Sequence, residues 1–226
     1  MKNSATTPAV EAYLEIIYLM EVEEQPVIGA RLAESQHVSR PTVTAALKRM
    51  INEGLVRIND RKEIFLTAKG QSLAEYLQRR HCIIERWLVD ELGLDWAASD
   101  AEAHRLEHAM SDAVAEMLNK NLGYPTTCPH GNPVPGNGRK TTSTEKNFRL
   151  NAAVRDDQVI VSRVSEYDQD VAELLNYLGE RGIRPGAEIK VTEVAPMKGP
   201  LTIKVGSRLV SLSRETAKYV WVKKAV

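Results

Sequence analysis

The sequence predicts an α+β chain, helices first and a small β-rich module second, from three observations. Apolar residues recur at helical spacing up to about residue 122. From about residue 150 they alternate with polar ones, as in VIVSRV, AEIKVTEV, LTIKVG, RLVSLS and YVWV. Between the two, residues 123–147 (GYPTTCPHGNPVPGNGRKTTSTEKN) hold four of the ten prolines and few large apolar side chains, so they are expected to form a linker and no packed element. The expected units are 1–70, 71–124, a linker over 125–149, and 150–226. With 43% apolar and 27% charged residues the chain is neither a disordered tail nor a miniature disulfide scaffold.

The first helix is marked by Tyr13, Leu14, Ile17, Tyr18 and Val22. A turn at Gln25 and Pro26 leads to a short helix near Ile28 to Ser35. A third helix follows almost at once. Ser39 is a good N-cap, since its hydroxyl can accept a bond from a free backbone N–H, and Pro41 is tolerated in the first turn, where donors lack partners anyway. Val43, Leu47, Met50 and Ile51 trace its apolar stripe, which stops at Gly54. Residues Leu55 to Thr67 (LVRINDRKEIFLT) alternate like a two-stranded hairpin with its turn near Asn59 to Lys62. Helix, short helix, tight turn, helix and hairpin is the order of a winged helix-turn-helix. Two long helices are then expected, about Ala68 to Gly93 and Ser99 to Leu122.

Lys+Arg and Asp+Glu are 30 each, so any attraction to nucleic acid must come from local arrangement. Residues 37–69 carry seven basic side chains against three acidic, whereas residues 11–34 carry six acidic against Arg31 alone. That split would steer the third helix and its hairpin toward phosphate. The residues expected to meet DNA are Ser39, Arg40, Pro41, Thr42 and Thr44 in the N-terminal turns of the recognition helix, with Lys48, Arg61 and Lys62. Arg40 is the best candidate for a base or phosphate hydrogen bond. The competing reading is a protein-interaction helix pair with a solvated charged face.

The two long helices carry polar residues that solvation does not explain. His81 and Glu85 are i and i+4, beside the apolar stripe of Leu73, Leu77, Ile84, Trp87 and Leu88. In HRLEH, a continuous helix would put His104, Glu107 and His108 within an arc of about 100°, next to the stripe of Leu106, Met110, Ala113 and Met117. Imidazole and carboxylate so spaced can hold a divalent ion without bending the helix, and the stripe could pair with a second subunit. HxxEH is also the signature of the inverted zinc peptidases, so a metallopeptidase is the rival from another class. It lacks a third ligand and a substrate cleft, and the expectation is that the chain is not an enzyme.

The order of winged helix, two helices bearing His81, Glu85 and EAHRLEHAMSD, then PHGNPVPG, then a β-module resembles the diphtheria toxin repressor and iron-dependent regulator family, closest to its manganese transport regulator branch. The resemblance covers nearly the full chain and implies a homodimeric, metal-activated regulator whose third region is an SH3-like barrel. It implies two metal sites per subunit, with His104, Glu107 and His108 serving the activating one and His81 and Glu85 the ancillary one. The barrel would add an acid and an amide three residues apart, Glu166 and Gln169. Iron-responsive members carry a sulfur ligand in the first helix and a cysteine in the second, where this chain has Ala12 and His104, and Asp100 falls where they have an ancillary histidine. Manganese-type members use first-helix carboxylates, matched here by Glu15 or, failing that, Glu11.

Without the family, an imidazole and carboxylate set lacking thiolate or thioether still suits a harder ion, so Mn²⁺ is favoured and Fe²⁺ is the alternative. Cys82, Cys128 and His130 are expected to be structural or incidental. The expected partners are an operator duplex and a second copy of the chain, with no membrane and no small-molecule substrate. The expected role is repression of metal-uptake genes. The two cysteines lack CxxC spacing and MKNSATTPAVEAY has no apolar run, so a reducing cytoplasm is the expected location.

Overall fold

A computed structural model of the chain describes residues 6–138, 147–167 and 170–225. Helix α1 (Pro8–Val22) buries Val10, Tyr13, Leu14, Ile17 and Met20 on one side and also buries Glu15. Helix α2 (Gly29–Ser35) and helix α3 (Arg40–Asn52) follow, the second capped by Ser39, whose Oγ accepts from Thr42 N at 3.3 Å. Strands β1 (Val56–Ile58) and β2 (Ile64–Leu66) pair antiparallel, with Arg57 opposite Phe65. Ile28 bridges to Glu63, so the wing is stitched to the start of α2. The expected winged helix-turn-helix is present. Leu14, Ile17, Leu32, Val43, Met50, Leu55 and Ile64 form its core.

Helix α4 (Ala68–Asp90) runs from this module to the middle of the molecule. The second long helix is not continuous. It divides into α5 (Trp96–Leu106), capped by Asp95 through a 2.8 Å bond from Ala98 N, and α6 (Asp112–Asn121), capped by Ser111 through a 3.3 Å bond from Val114 N. Ser111 explains the break, because its hydroxyl offers the backbone a cap in place of helix continuation. The arc drawn for HRLEH on an unbroken helix is therefore corrected: His104 is helical, Glu107 is the C-cap of α5, and His108 stands in the turn.

Residues 125–138, expected to be unpacked, fold back onto α4. Cys128 and Val134 are buried with Cys82 and Ile83, and Thr127 bridges to Pro133. Backbone carbonyls of this loop are satisfied by long side chains, with Arg86 donating to Thr127 O and Cys128 O and Arg79 to Pro135 O. Gly131 has φ +87°, and a Cβ there would lie 2.3 Å from Ser162 O, so the loop needs glycine to approach the next module this closely. Composition missed the loop because its apolar contribution is small and its polar groups are satisfied from outside. Residues 139–146 of the expected linker lie outside the described residues.

The C-terminal module contains β3 (Phe148–Arg149), β4 (Gln158–Val164), α7 (Val171–Glu180), β5 (Glu188–Val194), β6 (Leu201–Val205), β7 (Arg208–Leu212), α8 (Arg214–Ala217) and β8 (Val220–Lys224). The strands form one antiparallel sheet in the order β3-β8-β4-β5-β6-β7, with register shifts at Val161/Arg163 and Val191/Glu193. Alternate residues Val159, Val161, Val191, Leu201, Ile203, Val220 and Val222 point into its core. Helix α7 was not anticipated; its Leu175 and Leu178 close that core. The module packs on α5 through Trp96 and Ala97, and its Tyr167 joins the core of the winged module, so the three parts meet around α4.

Candidate metal centre

Two groups of ligand-type side chains meet where the three parts join. The first lies between α1, α4 and the α5–α6 turn. Glu11 Oε2 is 2.7 Å from His108 Nδ1, and atoms of Glu15, Glu107 and His108 all lie within 4.8 Å of one another. Glu107 Oε1 is 3.0 Å from His104 Nδ1 and 3.4 Å from His108 Nε2, while its Oε2 is 2.8 Å from His81 Nδ1. Both first-helix carboxylates weighed as alternatives, Glu11 and Glu15, stand at this group. One helical turn separates them, so they share a face of α1. Glu107 and Glu15 are buried and His104 sits exposed at the rim.

The second group lies between α4, the 125–138 loop and the end of β4. Glu85, a turn beyond His81, is fully buried, with Oε1 3.2 Å from His130 Nδ1 and 3.4 Å from His81 Nε2. His130 Nδ1 is 2.5 Å from Glu166 Oε1, and Cys128 Sγ is 3.6 Å from the same oxygen. Asp100 Oδ1 lies 3.5 Å from His81 Nε2, and His81, touching Glu107 on one side and Glu85 on the other, is common to both groups. Gln169 lies outside the described residues. Cys128 and His130, expected to be structural or incidental, are both fully buried beside Glu85 and Glu166, in a grouping whose donor atoms could hold a cation. No short-range signal marks them: Pro129 and His130 lie in a turn closed by Gly131 N donating to Cys128 O at 3.0 Å, and the carboxylates beside them are distant in sequence. Among the described groupings only the one with Cys128 contains sulfur; His81, Glu85 and Asp100 form another that is sulfur-free.

These residues fit a divalent cation on a test independent of resemblance. Among the described residues, the buried atoms lacking an aligned hydrogen bond include Glu15 Oε2, both oxygens of Glu85, Glu107 Oε1 and His130 Nε2. Buried carboxylate oxygens that lack well-aligned hydrogen bonds are costly, and a cation offsets that cost. Without one, protons do the work. Burial, then the neighbouring Glu107 charge, pushes the Glu15 carboxyl up to about 8. Burial resists protonation of His81, but Glu85, Asp100 and Glu107 outweigh it and hold the ring well above its ordinary range; Glu85 and Glu166 do the same for His130. Burial would raise Glu85 and Glu107, yet the histidines beside them pull both down. The raised histidines and lowered Glu85 and Glu107 thus favour imidazolium paired with carboxylate in the cluster.

The expected DNA-contacting residues are all exposed. Ser39, Arg40, Pro41, Thr42, Thr44 and Lys48 are exposed on α3, and Arg61 and Lys62 are exposed at the tip of the β1–β2 hairpin. The tip is fixed by Asn59, whose Oδ1 accepts from Arg61 N at 3.0 Å and Glu63 N at 2.9 Å. Arg49 is tied to Glu53 at 2.8 Å, so it is less free to reach a phosphate.

A winged helix-turn-helix docked on a buried cluster of carboxylate and imidazole defines a metal-dependent DNA-binding regulator. Residues 5–64 match the iron dependent repressor N-terminal DNA binding domain, residues 67–136 the iron dependent repressor metal binding and dimerisation domain, and residues 148–224 the FeoA domain. The iron-dependent repressor IdeR of Mycobacterium leprae is 36% identical over 222 residues, covering 95% of this chain and 96% of that one. The chain belongs to the iron-dependent repressor (diphtheria toxin repressor) family, and it is a metal-dependent transcriptional repressor of that type. Among solved structures, the manganese regulator SloR superposes with a TM-score of 0.80 at 31% identity, covering 97% of this chain and 100% of that one. A manganese-dependent transcriptional repressor in complex with manganese gives a TM-score of 0.82 at 30% identity, covering 96% and 100%. The SH3-like module expected from the sequence is the FeoA domain. These relatives are DNA-binding repressors and not enzymes, and with His104 and His108 on either side of a helix end the HxxEH peptidase reading falls. No helix among the described residues is long and apolar enough to cross a membrane.

Proposed function

We propose that this chain is a manganese-favoured repressor that grips palindromic operators of metal-uptake genes as a homodimer in the cytoplasm when two cation sites per subunit are filled. The observation that carries the reading is the convergence of the buried carboxylates of Glu15, Glu85 and Glu107 on neighbouring imidazoles, with several of their oxygens lacking an aligned hydrogen bond. Glu11, Glu15, His104, Glu107 and His108 would hold the activating ion. Glu85, Cys128, His130 and Glu166 would hold the second, with His81 and Asp100 beside it and Gln169 a further ligand implied by the family resemblance. A divalent cation supplies positive charge to these carboxylates without the imidazolium protons of the apo cluster. Glu11 and Glu15 then fix α1 against the α5–α6 turn, and α1 sets the angle of the winged module. Two recognition helices read successive major-groove faces only about 34 Å apart or a multiple of that, so a loosely held α1 weakens operator binding. Ser39, Arg40, Pro41, Thr42, Thr44 and Lys48 would enter the groove, with Arg61 and Lys62 on the flanking backbone. Exposed Leu106, Val114 and Met117 lie within the matched dimerisation domain and would meet the second copy.

Manganese is favoured because the first group offers only imidazole and carboxylate donors, and because the structural relatives named above are manganese regulators. Iron(II) is the second reading, supported by the IdeR relative and by the Cys128 thiol in the second group. Operator binding titrated against Mn²⁺, Fe²⁺ and Zn²⁺ under reducing conditions, with calorimetric stoichiometry, decides between them. Mn²⁺ activation at two ions per subunit is expected, and activation by Fe²⁺ alone moves the assignment to iron.

A further inference from the structure

Glu23 caps the C-terminus of α1, yet it is only 3% exposed, because the C-terminal module closes over it. Arg149 Nη2 donates to its Oε2 at 3.0 Å and to its backbone O at 2.8 Å. Arg163 Nη1 donates to Oε1, and Trp221 Nε1 to Oε2 at 2.9 Å. The three donors come from adjacent strands β3, β4 and β8. Arg149 and Arg163 are the register partners of Trp221 on its two sides, and their guanidinium groups lie 4.4 and 4.5 Å from its ring centroid. The register shift in β4 falls between Val161 and Arg163, and such irregularities re-aim side chains. The result is an Arg-Trp-Arg cradle built for one carboxylate.

The cradle is continuous with the second metal group. Arg163 Nη1 also donates to Asn132 Oδ1 at 3.1 Å, Asn132 Nδ2 donates to Val164 O at 2.8 Å, and Val164 N donates to His130 O at 2.9 Å. Trp221 Nε1 reaches Ser165 Oγ at 3.1 Å, next to Glu166. Glu166 is three residues from Arg163, about 10 Å along an extended chain. At its other end α1 carries Glu11 and Glu15. Glu21, two residues before Glu23, accepts from Leu66 N of the wing at 3.0 Å. One helix therefore meets the first metal group, the wing and the C-terminal module.

We infer that Glu23, held by Arg149, Arg163 and Trp221, is a positioning residue that couples the Glu166 metal group to the DNA-binding module. This rests on the reading of the Glu85, Cys128, His130 and Glu166 group as a metal site. Filling that group orders the end of β4, the cradle keeps its hold on Glu23, and α1 stays in the operator-competent orientation. Without the carboxylate, cation binding at Glu166 and operator binding become separate events.

The test is a double-mutant cycle of Glu23→Gln and Glu166→Gln in the full-length dimer. Affinity for a duplex selected from a random-sequence pool is read by fluorescence anisotropy with saturating Mn²⁺ and with EDTA, and Mn²⁺ stoichiometry by calorimetry. Glu23→Gln is expected to keep the wild-type number of Mn²⁺ ions and to reduce the Mn²⁺-induced gain in affinity about tenfold, within the usual range of coupling between sites. Added to Glu166→Gln, it should cost nothing more. A full additional loss in the Glu166→Gln background, an equal loss in EDTA, or no loss at all overturns the coupling. If Glu23→Gln does not fold by circular dichroism, Trp221→Phe enters the same cycle, where a smaller loss that vanishes beside Glu166→Gln supports the coupling and an additive one refutes it. Wild-type operator binding that ignores Mn²⁺ would remove the metal reading itself, whereas Mn²⁺-dependent binding with an additive cycle removes only the role of Glu23.

Discussion

The two metal groups differ in how they are assembled. The first draws on residues close together on helices or in the turn between them: Glu11 and Glu15 on α1, and His104, Glu107 and His108 across the α5–α6 break. The second brings together Glu85 of α4, Cys128 and His130 of a proline-rich loop, and Glu166 beyond β4, which only the folded chain makes neighbours. The first has no sulfur and an exposed rim at His104, while all four residues of the second are buried. Short-range spacing announces each half of the first group, which the docking of α1 on the α5–α6 turn then joins, whereas docking alone assembles the second.

The largest effect expected is at the first group. Glu107→Ala or His108→Ala should lower Mn²⁺-dependent operator affinity on the order of 100-fold or more while leaving the circular dichroism spectrum unchanged, since a lost ligand removes charge compensation and geometry together. Unchanged affinity in gel-shift titrations would transfer the activating role to the second group. Arg40→Ala comes next, with a loss of about 1–3 kcal/mol if it reads a base, and with metal stoichiometry by calorimetry unchanged. If metal binding changes as well, α3 and the first group are not separable.

Cys128→Ser should be milder in Mn²⁺ and sharper in softer ions. The hydroxyl keeps a donor but loses thiolate character, so the second group's affinity for Zn²⁺ should fall about tenfold or more while Mn²⁺ affinity changes less. Equal losses by competition calorimetry would mean that the sulfur only packs against Cys82.

The smallest effect is on stability against pH. His81 and His130 titrate well above the ordinary histidine value in the folded apo chain, and Glu15 at about 8, above the ordinary carboxylate range. Groups raised on folding add stability below their unfolded values, and that contribution fades as pH rises through the folded ones. Apo protein in EDTA should therefore melt at progressively lower temperature as pH rises from neutral toward 9. Mn²⁺ displaces the same protons, so its affinity should rise over that window. A melting temperature that is flat or increasing with pH in EDTA would contradict the proton-filled cluster.

Much of this molecule was readable before folding because it depends on local periodicity. The N-cap at Ser39, the alternation of Leu55 to Thr67 and the strand pattern after residue 150 each follow from neighbours within a few positions. The break at Ser111 was legible in principle, since a serine followed by aspartate competes with helix continuation, but the apolar spacing of Leu106, Met110 and Met117 masked it. The loop at 125–138 was misread because composition counts apolar side chains and not the arginines of α4 that satisfy its carbonyls. His130 shows the limit most plainly. Nothing within ten residues of it is a carboxylate, and its partners Glu85 and Glu166 arrive from 45 residues before and 36 after.

The most direct test strips the protein with a chelator, exchanges it into metal-free buffer, and follows binding to a palindromic duplex by fluorescence anisotropy as Mn²⁺ is added back. The account predicts weak binding in the stripped state and a steep rise that saturates at two ions per subunit. Full-strength, sequence-specific binding by the stripped protein would contradict it.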